Sequence, residues 1–265
     1  MKKIFYFDID GTLFDIYRNY SVSEKTRNSI AKIQKNGNLA VINTGRSLAC
    51  IPQEILDLNF DGIIAGCGTY VEIKDQILHN QLLDEELINR IIEIFSREET
   101  DLLMEGPNYI YTLDTIFDQD IARRALNLFN LAGRRRNIHE IPLHINKISY
   151  LIKDPQSDQS IIQTLQDELD FIIYPSELRE GLPPGSSKKT GMVLLEQWLQ
   201  NKAKITIDET YAFGDSLNDK EMLEHATYGI AMGNADPNIL HLTDFITLDV
   251  IDDGIEHALL HFNLL

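Results

Sequence analysis

The stretch FDIDGTLFD at residues 7–15 decides how the rest of the chain is read. It continues the apolar run Ile4-Phe5-Tyr6-Phe7, so a hydrophobic strand drives into two aspartates one residue apart and then into Gly11. Strand side chains alternate faces. If strand geometry persists to Asp10, then Asp8 and Asp10 project to the same side. Two like charges held that close repel unless a cation or a shared proton lies between them, and such pairs mark perturbed acidities and metal sites. The competing reading is a plain turn, because Asp-Gly is a common turn dipeptide and an Asp can cap the residues after it.

The bulk numbers bound the answer. At 265 residues the chain can bury a full core and fits one large domain or two modest ones. Its 43% hydrophobic and 25% charged fractions are those of an ordinary globular protein. Acidic residues outnumber basic ones 41 to 24, a formal charge of −17, and that field repels nucleic acid and anionic membrane surfaces. A small anionic substrate still fits where local cations or a metal reverse the potential. Cys50 and Cys67 are the only cysteines, so no disulfide framework is expected and a reducing compartment is. Met1-Lys2-Lys3 and four apolar residues are too short for a signal-peptide core, and no apolar run approaches a membrane span. The expected setting is the cytosol.

Hydrophobic patterning predicts a strand at Lys3–Phe7, a helix from Ser23 ended by Gly37, and a strand at Leu39–Ile42. A helix to about Leu58 and a strand at Gly62–Ala65 come next. Strand, helix, strand, helix, strand is the grammar of a parallel sheet. The pattern then changes. A hairpin is expected around Lys74-Asp75-Gln76, a helix at 84–98, a strand at Leu102–Leu113 and a helix at Gln119–Leu131. After these come a strand at Ile145–Ile152, a helix at Asp158–Leu169 and a strand at Phe171–Tyr174. Gly181-Leu182-Pro183-Pro184-Gly185 has linker composition. The first grammar then resumes: helix Lys188–Asn201, strand Thr210–Gly214, helix Asn218–His225, strands Gly229–Met232 and Phe245–Leu248, and helix Asp253–Phe262. The expected architecture is α/β: a Rossmann-like parallel-sheet core from residues 1–82 and 184–265, with an inserted α+β domain at 83–183.

In open parallel sheets the reactive groups gather beyond the carboxyl ends of the strands. Asp8 and Asp10, Thr44 with Gly45, and Asp215 with Asn218 and Asp219 stand at such ends, and Lys188 opens the helix after the linker. Each alone has an ordinary explanation as a turn, a helix cap or a solvated helix residue. Together, in this order and strand context, they point to one site.

DIDGT at 8–12, Thr44 after an apolar strand, Lys188 and GDSLND at 214–219 resemble the four motifs of the haloacid dehalogenase superfamily of phosphohydrolases. The insertion between the second and third motifs, with Gly233-Asn234-Ala235, resembles its Cof-type branch, which carries a type-two, subclass-B cap. Between Thr12 and Thr44 there is room for one helix and its strand only, so the cap belongs in the interval from Thr44 to Lys188.

The resemblance implies Asp8 as nucleophile, forming an acyl phosphate that water later opens. It implies Asp10 as general acid and then base, a task suited to a carboxyl whose acidity a like charge and desolvation weaken. It implies Mg2+ held by the Asp8 carboxylate, the Asp10 carbonyl and Asp215, with Asp219 supporting from behind. Asn218 would orient the phosphoryl group or Asp215, and Thr44 and Lys188 would address phosphoryl oxygens. Gly11 and Gly45 would let backbone amides approach, and Thr12 would steady the turn and help orient Asp10. Two positions depart from the pattern: Cys67-Gly68 stands where Asn-Gly is common, and Lys189 where Gly is common, which leaves Lys188 and Lys189 as rival candidates, Lys188 favoured by its offset to Gly185.

Other signals rank lower. Gly66-Cys67-Gly68 lacks the third glycine and the helix of a dinucleotide loop. His257 and His261 are four apart on a helix, but Ala258 stands where a zinc protease carries Glu, so they read as a helix face. Arg134-Arg135-Arg136, with Arg123 and Arg124, could meet an anionic substrate but reads first as solvated surface. Arg46 is open to two readings, a substrate contact or a salt bridge near a hinge. The leading expectation is a Mg2+-dependent phosphatase acting on small phosphorylated metabolites, with neither nucleic acid nor membrane as partner and no oligomeric state implied. A phosphomutase would share the aspartyl-phosphate step but return the phosphoryl group to sugar. A receiver-like signalling protein also groups acids, Thr and Lys at strand ends, but it needs no hundred-residue insertion. A catalytically silent phosphate-binding protein is disfavoured because all four motif positions are intact.

Overall fold

The apolar run after Met1 forms strand β1 (Lys2–Phe7), which is buried from Ile4 onward. The computed structural model describes residues 1–15, 21–112, 134–139, 142–174 and 176–265. These divide into two compact units, one of Met1–Gly45, Gln53–His79 and Ser187–Leu265, the other of Arg46–Pro52 and Asn80–Ser186.

In the first unit β1 lies between β2 (Leu39–Asn43) and β12 (Ile207–Gly214), parallel to both. Outside them run β3 (Gly62–Ala65), β13 (Tyr228–Ala231) and the two-residue β14 (Phe245–Ile246), all parallel. The hairpin of β4 (Tyr70–Ile73) and β5 (Gln76–Asn80) closes the far edge, β4 antiparallel to β3. Lys74 and Asp75 both take positive φ at its turn. Alternation along β1 buries both faces. Ile4 and Tyr6 join Val41, Ile64, Met192 and Leu195 on one side, while Phe5 and Phe7 stack on Tyr211 and Phe213 on the other. Each such side chain contributes roughly 1.5–3 kcal/mol on leaving water.

The helices start where the sequence supplies caps. Ser23 accepts from the Thr26 amide to open α1 (Glu24–Lys35). Ser187 and Thr190 form a reciprocal capping box at the start of α5 (Lys188–Asn201). The helix expected up to Leu58 is instead a 3₁₀ turn at Leu48–Cys50 and the short α2 (Gln53–Leu56), because Pro52 forces Ile51 into extended backbone. The helix expected at Asn218–His225 opens as a 3₁₀ turn and becomes α6 only at Lys220–His225. The chain ends in α7 (Gly254–His261).

The second unit is a six-stranded sheet with two described helices. Its order is β10-β11-β9-β6-β7-β8: β10 (Asp170–Ile173), β11 (Leu178–Leu182), β9 (Lys147–Leu151), β6 (Leu102–Glu105), β7 (Ile110–Thr112) and β8 (Arg135–Asn137). Leu87, Ile91 and Phe95 of α3 (Glu85–Arg97) and Ile161 and Leu165 of α4 (Pro155–Leu165) share one core with Leu102, Met104 and Tyr150.

Three expectations change here. The strand Leu102–Leu113 is two strands, turned at Gly106, whose amide donates to the Tyr109 carbonyl; Leu113 lies outside the described residues. Gly181 and Leu182 are not linker but the end of β11, paired with β10 and β9. A Cβ on Gly181 would meet Ile148 at 2.9 Å, so a glycine is what lets this strand close on its neighbour. β8 falls on the arginine run, where hydrophobic patterning predicts no strand. The helix expected at Gln119–Leu131, with Arg123 and Arg124, lies outside the described residues. Among the described residues no helix is long and apolar enough to cross a membrane.

Because Ser187 satisfies the Thr190 amide at the helix that carries Lys188, Ser187→Ala is expected to lower stability by about 1 kcal/mol. Urea unfolding checks this; an unchanged midpoint would show that the cap does not hold the helix start.

Candidate active site

Parallel strands deliver their carboxyl ends to one edge of the first unit. β1 stops at Phe7, and the Asp8 amide donates to the Phe213 carbonyl of β12 at 3.1 Å. The strand does not persist to Asp10. Ile9 is a buried bend, its carbonyl accepts from the amides of Thr12, Leu13 and Phe14, and the Gly11 amide donates to the Phe14 carbonyl at 2.9 Å. Asp8 and Asp10 are therefore not a same-face strand pair: the turn reading holds for residues 9–14, and the charge reading holds for Asp8.

Asp8 meets acids from a distant segment. Carboxylate oxygens of Asp8, Asp215 and Asp219 lie within 4.8 Å of one another. Among them is the fully buried Lys188 side chain, whose Nζ donates to Asp8 Oδ1 at 2.7 Å and to Asp219 Oδ1. Lys189, the next residue, is exposed. Asp219 is wholly buried, and its Oδ2 accepts from the amides of Asp215 and Ser216 at 3.0 and 2.9 Å and from the Ser216 hydroxyl. Asp219 thus braces both the lysine and the loop that carries Asp215.

This arrangement disfavours full ionisation. Burial pushes the Asp8 carboxyl up to about 7, helped by Asp219 and Asp10 and opposed by Lys188. Burial, then the charges of Asp219 and Asp8, push Asp215 up to about 9. Burial works against the Lys188 charge too, yet Asp219 and Asp8 outweigh it and hold the ammonium above the usual lysine range. Among the described residues one cation, Lys188, serves three carboxylates.

The remaining expected residues fall into place around this group or apart from it. Gly11, at φ +76°, sits so close to Asp215 that a Cβ would lie 2.2 Å from Oδ2. Asp10 is half-buried and adds its charge to the field at Asp8 and Asp215 without joining the carboxylate cluster. Thr44 is buried past the end of β2, its amide donating to the Ile64 carbonyl and its carbonyl accepting from the Cys67 amide; Gly45 is the next residue. The Asn218 carboxamide oxygen accepts from the Ser216 hydroxyl at 2.8 Å. Arg46 belongs to the second unit, where its Nη1 donates to the Cys50 carbonyl at 3.1 Å.

Three residues escaped the sequence reading or were given another task. The Thr12 hydroxyl donates to Asp215 Oδ1 at 3.3 Å rather than serving Asp10. Asn234 donates to the Gly11 carbonyl at 2.8 Å and accepts from the Val250 amide, pinning the turn from the opposite end of the chain. Asn43 donates to the Lys188 carbonyl at 3.1 Å. The triplet Gly233-Asn234-Ala235 was the available signal for Asn234, and Thr12 is itself part of DIDGT; Asn43 had none beyond adjacency to Thr44. The arginine run is not plain solvated surface: Arg134 donates to the Leu48 and Ala49 carbonyls, Arg135 to Thr112, and Arg136 stands over the Tyr109 ring. His257 bonds Thr247, and His261 stacks on Phe245 at 4.1 Å; neither joins the acid cluster.

The family model for haloacid dehalogenase-like hydrolases matches residues 5–259, nearly the whole chain. The chain belongs to that family. By family it is a haloacid dehalogenase-like hydrolase. YkrA of Bacillus subtilis is 28% identical over 268 residues, 100% of this chain and 99% of that protein. The HMP-PP phosphatase of Citrobacter koseri is 25% identical over 268 residues, 99% of this chain and 94% of its own. The solved structure of the subclass IIB sugar phosphatase BT4131 superposes with a TM-score of 0.82 at 21% identity, covering all of both chains, a likeness of fold.

The crowded acids set a stability prediction. A carboxyl that holds its proton more tightly when folded loses stability as pH rises from the ordinary carboxyl range through its folded value, here through about 7 for Asp8 and about 9 for Asp215. Metal-free protein should therefore weaken between mildly acidic and mildly alkaline pH, and Asp215→Asn should stabilise it at alkaline pH by at least about 1 kcal/mol. Calorimetry in a chelator checks this; a lower melting temperature for the variant would contradict it.

Proposed function

We propose that this chain is a Mg2+-dependent phosphatase that hydrolyses small phosphomonoesters, sugar phosphates or phosphorylated cofactors, through a phosphoaspartate on Asp8. The observation that carries this reading is the buried Lys188 shared between Asp8 and Asp219, with Asp215 alongside. The chemistry of the donor set suits magnesium: hard carboxylate oxygens converge from Asp8 and Asp215, repel one another when ionised, and outnumber the single ammonium. Asp8, Asp215 and the Asp10 carbonyl would hold the ion, and Asp219, whose oxygens serve Lys188 and two amides, would support it from behind. Bound there, the ion supplies positive charge against the phosphoryl oxygens and favours ionised Asp8.

The chain's own residues divide the rest of the work. Asp8, ionised and held by Lys188, attacks phosphorus and displaces the alkoxide. Asp10 donates its proton to that alkoxide and later takes one from the water that opens the acyl phosphate. Lys188 offsets the repulsion between Asp8 and an anionic substrate, while Thr44 and the Gly11 and Gly45 amides take phosphoryl oxygens. Asn218 steadies the Asp215 loop through Ser216. The names of full-length relatives, among them an HMP-PP phosphatase, support a phosphorylated small molecule as substrate. Two buried free cysteines fit a cytosolic setting.

Asp8→Asn should remain folded and lose at least about a thousandfold in kcat/KM with a panel of phosphorylated metabolites, and wild-type turnover should vanish in a chelator and return with magnesium. Near-native turnover by the variant would remove Asp8 as nucleophile. Return of the phosphoryl group to sugar instead of release of phosphate would favour a mutase.

A further inference from the structure

Strand β13 runs out at Ala231, and the segment after it touches both loops of the candidate site. The Met232 amide donates to the Gly214 carbonyl at 3.0 Å, the Asn234 carboxamide nitrogen to the Gly11 carbonyl at 2.8 Å, and the Asp236 amide to the Asp215 carbonyl at 2.8 Å. Asn234 and Asp236 thus link the turn at 9–14 to the loop that carries Asp215. The segment is itself held from behind. The Gly233 amide donates to the Leu248 carbonyl at 2.9 Å, and the Val250 amide donates to Asn234 Oδ1 at 3.0 Å. A Cβ on Gly233 would lie 2.5 Å from the Asp249 nitrogen, so glycine is what lets these backbones approach. All of these residues belong to the first unit.

The gap bridged in this way is one that charge works to open. Oxygens of Asp8 and Asp215 lie within 4.8 Å of each other, and the two carboxylates repel when ionised. The loops meet at the Gly11–Thr12 peptide. Gly11 leaves no room for a side chain beside the Asp215 carboxylate, the Thr12 hydroxyl donates to Asp215 Oδ1 at 3.3 Å, and the Gly11 carbonyl takes the Asn234 donor. Apolar packing would press the loops together but is non-directional, whereas a hydrogen bond to a carbonyl fixes how the peptide is turned. Spacing of this kind matters most to a small ion. Mg2+ demands oxygen ligands near 2.0–2.1 Å in close to ideal octahedral geometry, while Ca2+ accepts about 2.3–2.6 Å in a flexible shell.

We propose that Asn234 is a positioning residue for the divalent ion: by tying the Gly11 carbonyl to the segment that holds the Asp215 carbonyl, it fixes the spacing of the Asp8 and Asp215 carboxylates and favours Mg2+ over the larger Ca2+. This rests on the proposed function, in which the ion sits between those carboxylates. The test is calorimetric titration of the full-length, substrate-free protein with magnesium chloride and, separately, with calcium chloride. Wild type is compared with Asn234→Ala and with Ser23→Ala, which loses the cap of α1 rather than a bond to a site loop. Asn234→Ala should weaken Mg2+ binding roughly tenfold and Ca2+ binding less than about threefold, while Ser23→Ala leaves both affinities unchanged. If Asn234→Ala does not fold, Asn234→Asp decides. It keeps the acceptor for the Val250 amide and lacks the donor for Gly11, and its added charge attracts both ions alike, so the preference for Mg2+ should again fall several-fold. An unchanged Mg2+ to Ca2+ preference in the folded variant, with only a lower melting temperature, would reduce Asn234 to a structural bond and overturn the proposal while leaving the metal site in place. A wild type that binds no Mg2+ would instead sink the metal reading itself, and this proposal with it.

Discussion

The site depends on one buried ion pair network: Lys188 between Asp8 and Asp219, with Asp215 crowded alongside. Three carboxylates and one ammonium out of water are costly to assemble, and removal of the lysine would leave the acids uncompensated. The fold offsets that cost through β1 and β12, neighbouring parallel strands that bring positions 8 and 215 together at one sheet edge. α5 completes the set, since its capping box fixes the turn at which the lysine enters the interior.

The same crowding explains why the cluster suits chemistry as well as structure. Left to themselves the acids resist ionisation, as the raised values at Asp8 and Asp215 express. Positive charge arriving at that point, from a divalent ion or a bound group, converts a repulsive arrangement into a poised one. The turn at 9–14 keeps the geometry tight: Thr12 reaches Asp215, Gly11 leaves no room for a side chain beside it, and Asn234 holds the turn from the far end of the chain.

Legibility in the sequence ran along physical lines. Buried parallel strands write themselves as unbroken apolar runs, so β1, β2 and β3 were visible, and with them the strand ends where Asp8 and Thr44 stand. The start signal at Ser23 located α1, and the return of the first pattern after the glycine- and proline-rich stretch located α5. Misreadings arose where composition and tertiary demand part. Gly181 resembles linker but is a strand residue that gives Ile148 room, and the alternation across 102–112 hid a turn at Gly106. Bonds from Asn234 to Gly11 and from Asn43 to Lys188 join positions far apart in the chain, and no local pattern encodes such partners. The grouping of Arg46–Pro52 with the second unit was hidden for the same reason.

The central claim is that a carboxylate made to share a lysine with its neighbours accepts phosphorus. Acid quench of the wild-type enzyme during turnover, with borohydride reduction and peptide sequencing of the product, tests it most directly. The account predicts that position 8 is recovered as homoserine, the reduced trace of an acyl phosphate on Asp8. Reduction at another acid, or intact aspartate at position 8 while phosphate is being released, would contradict it.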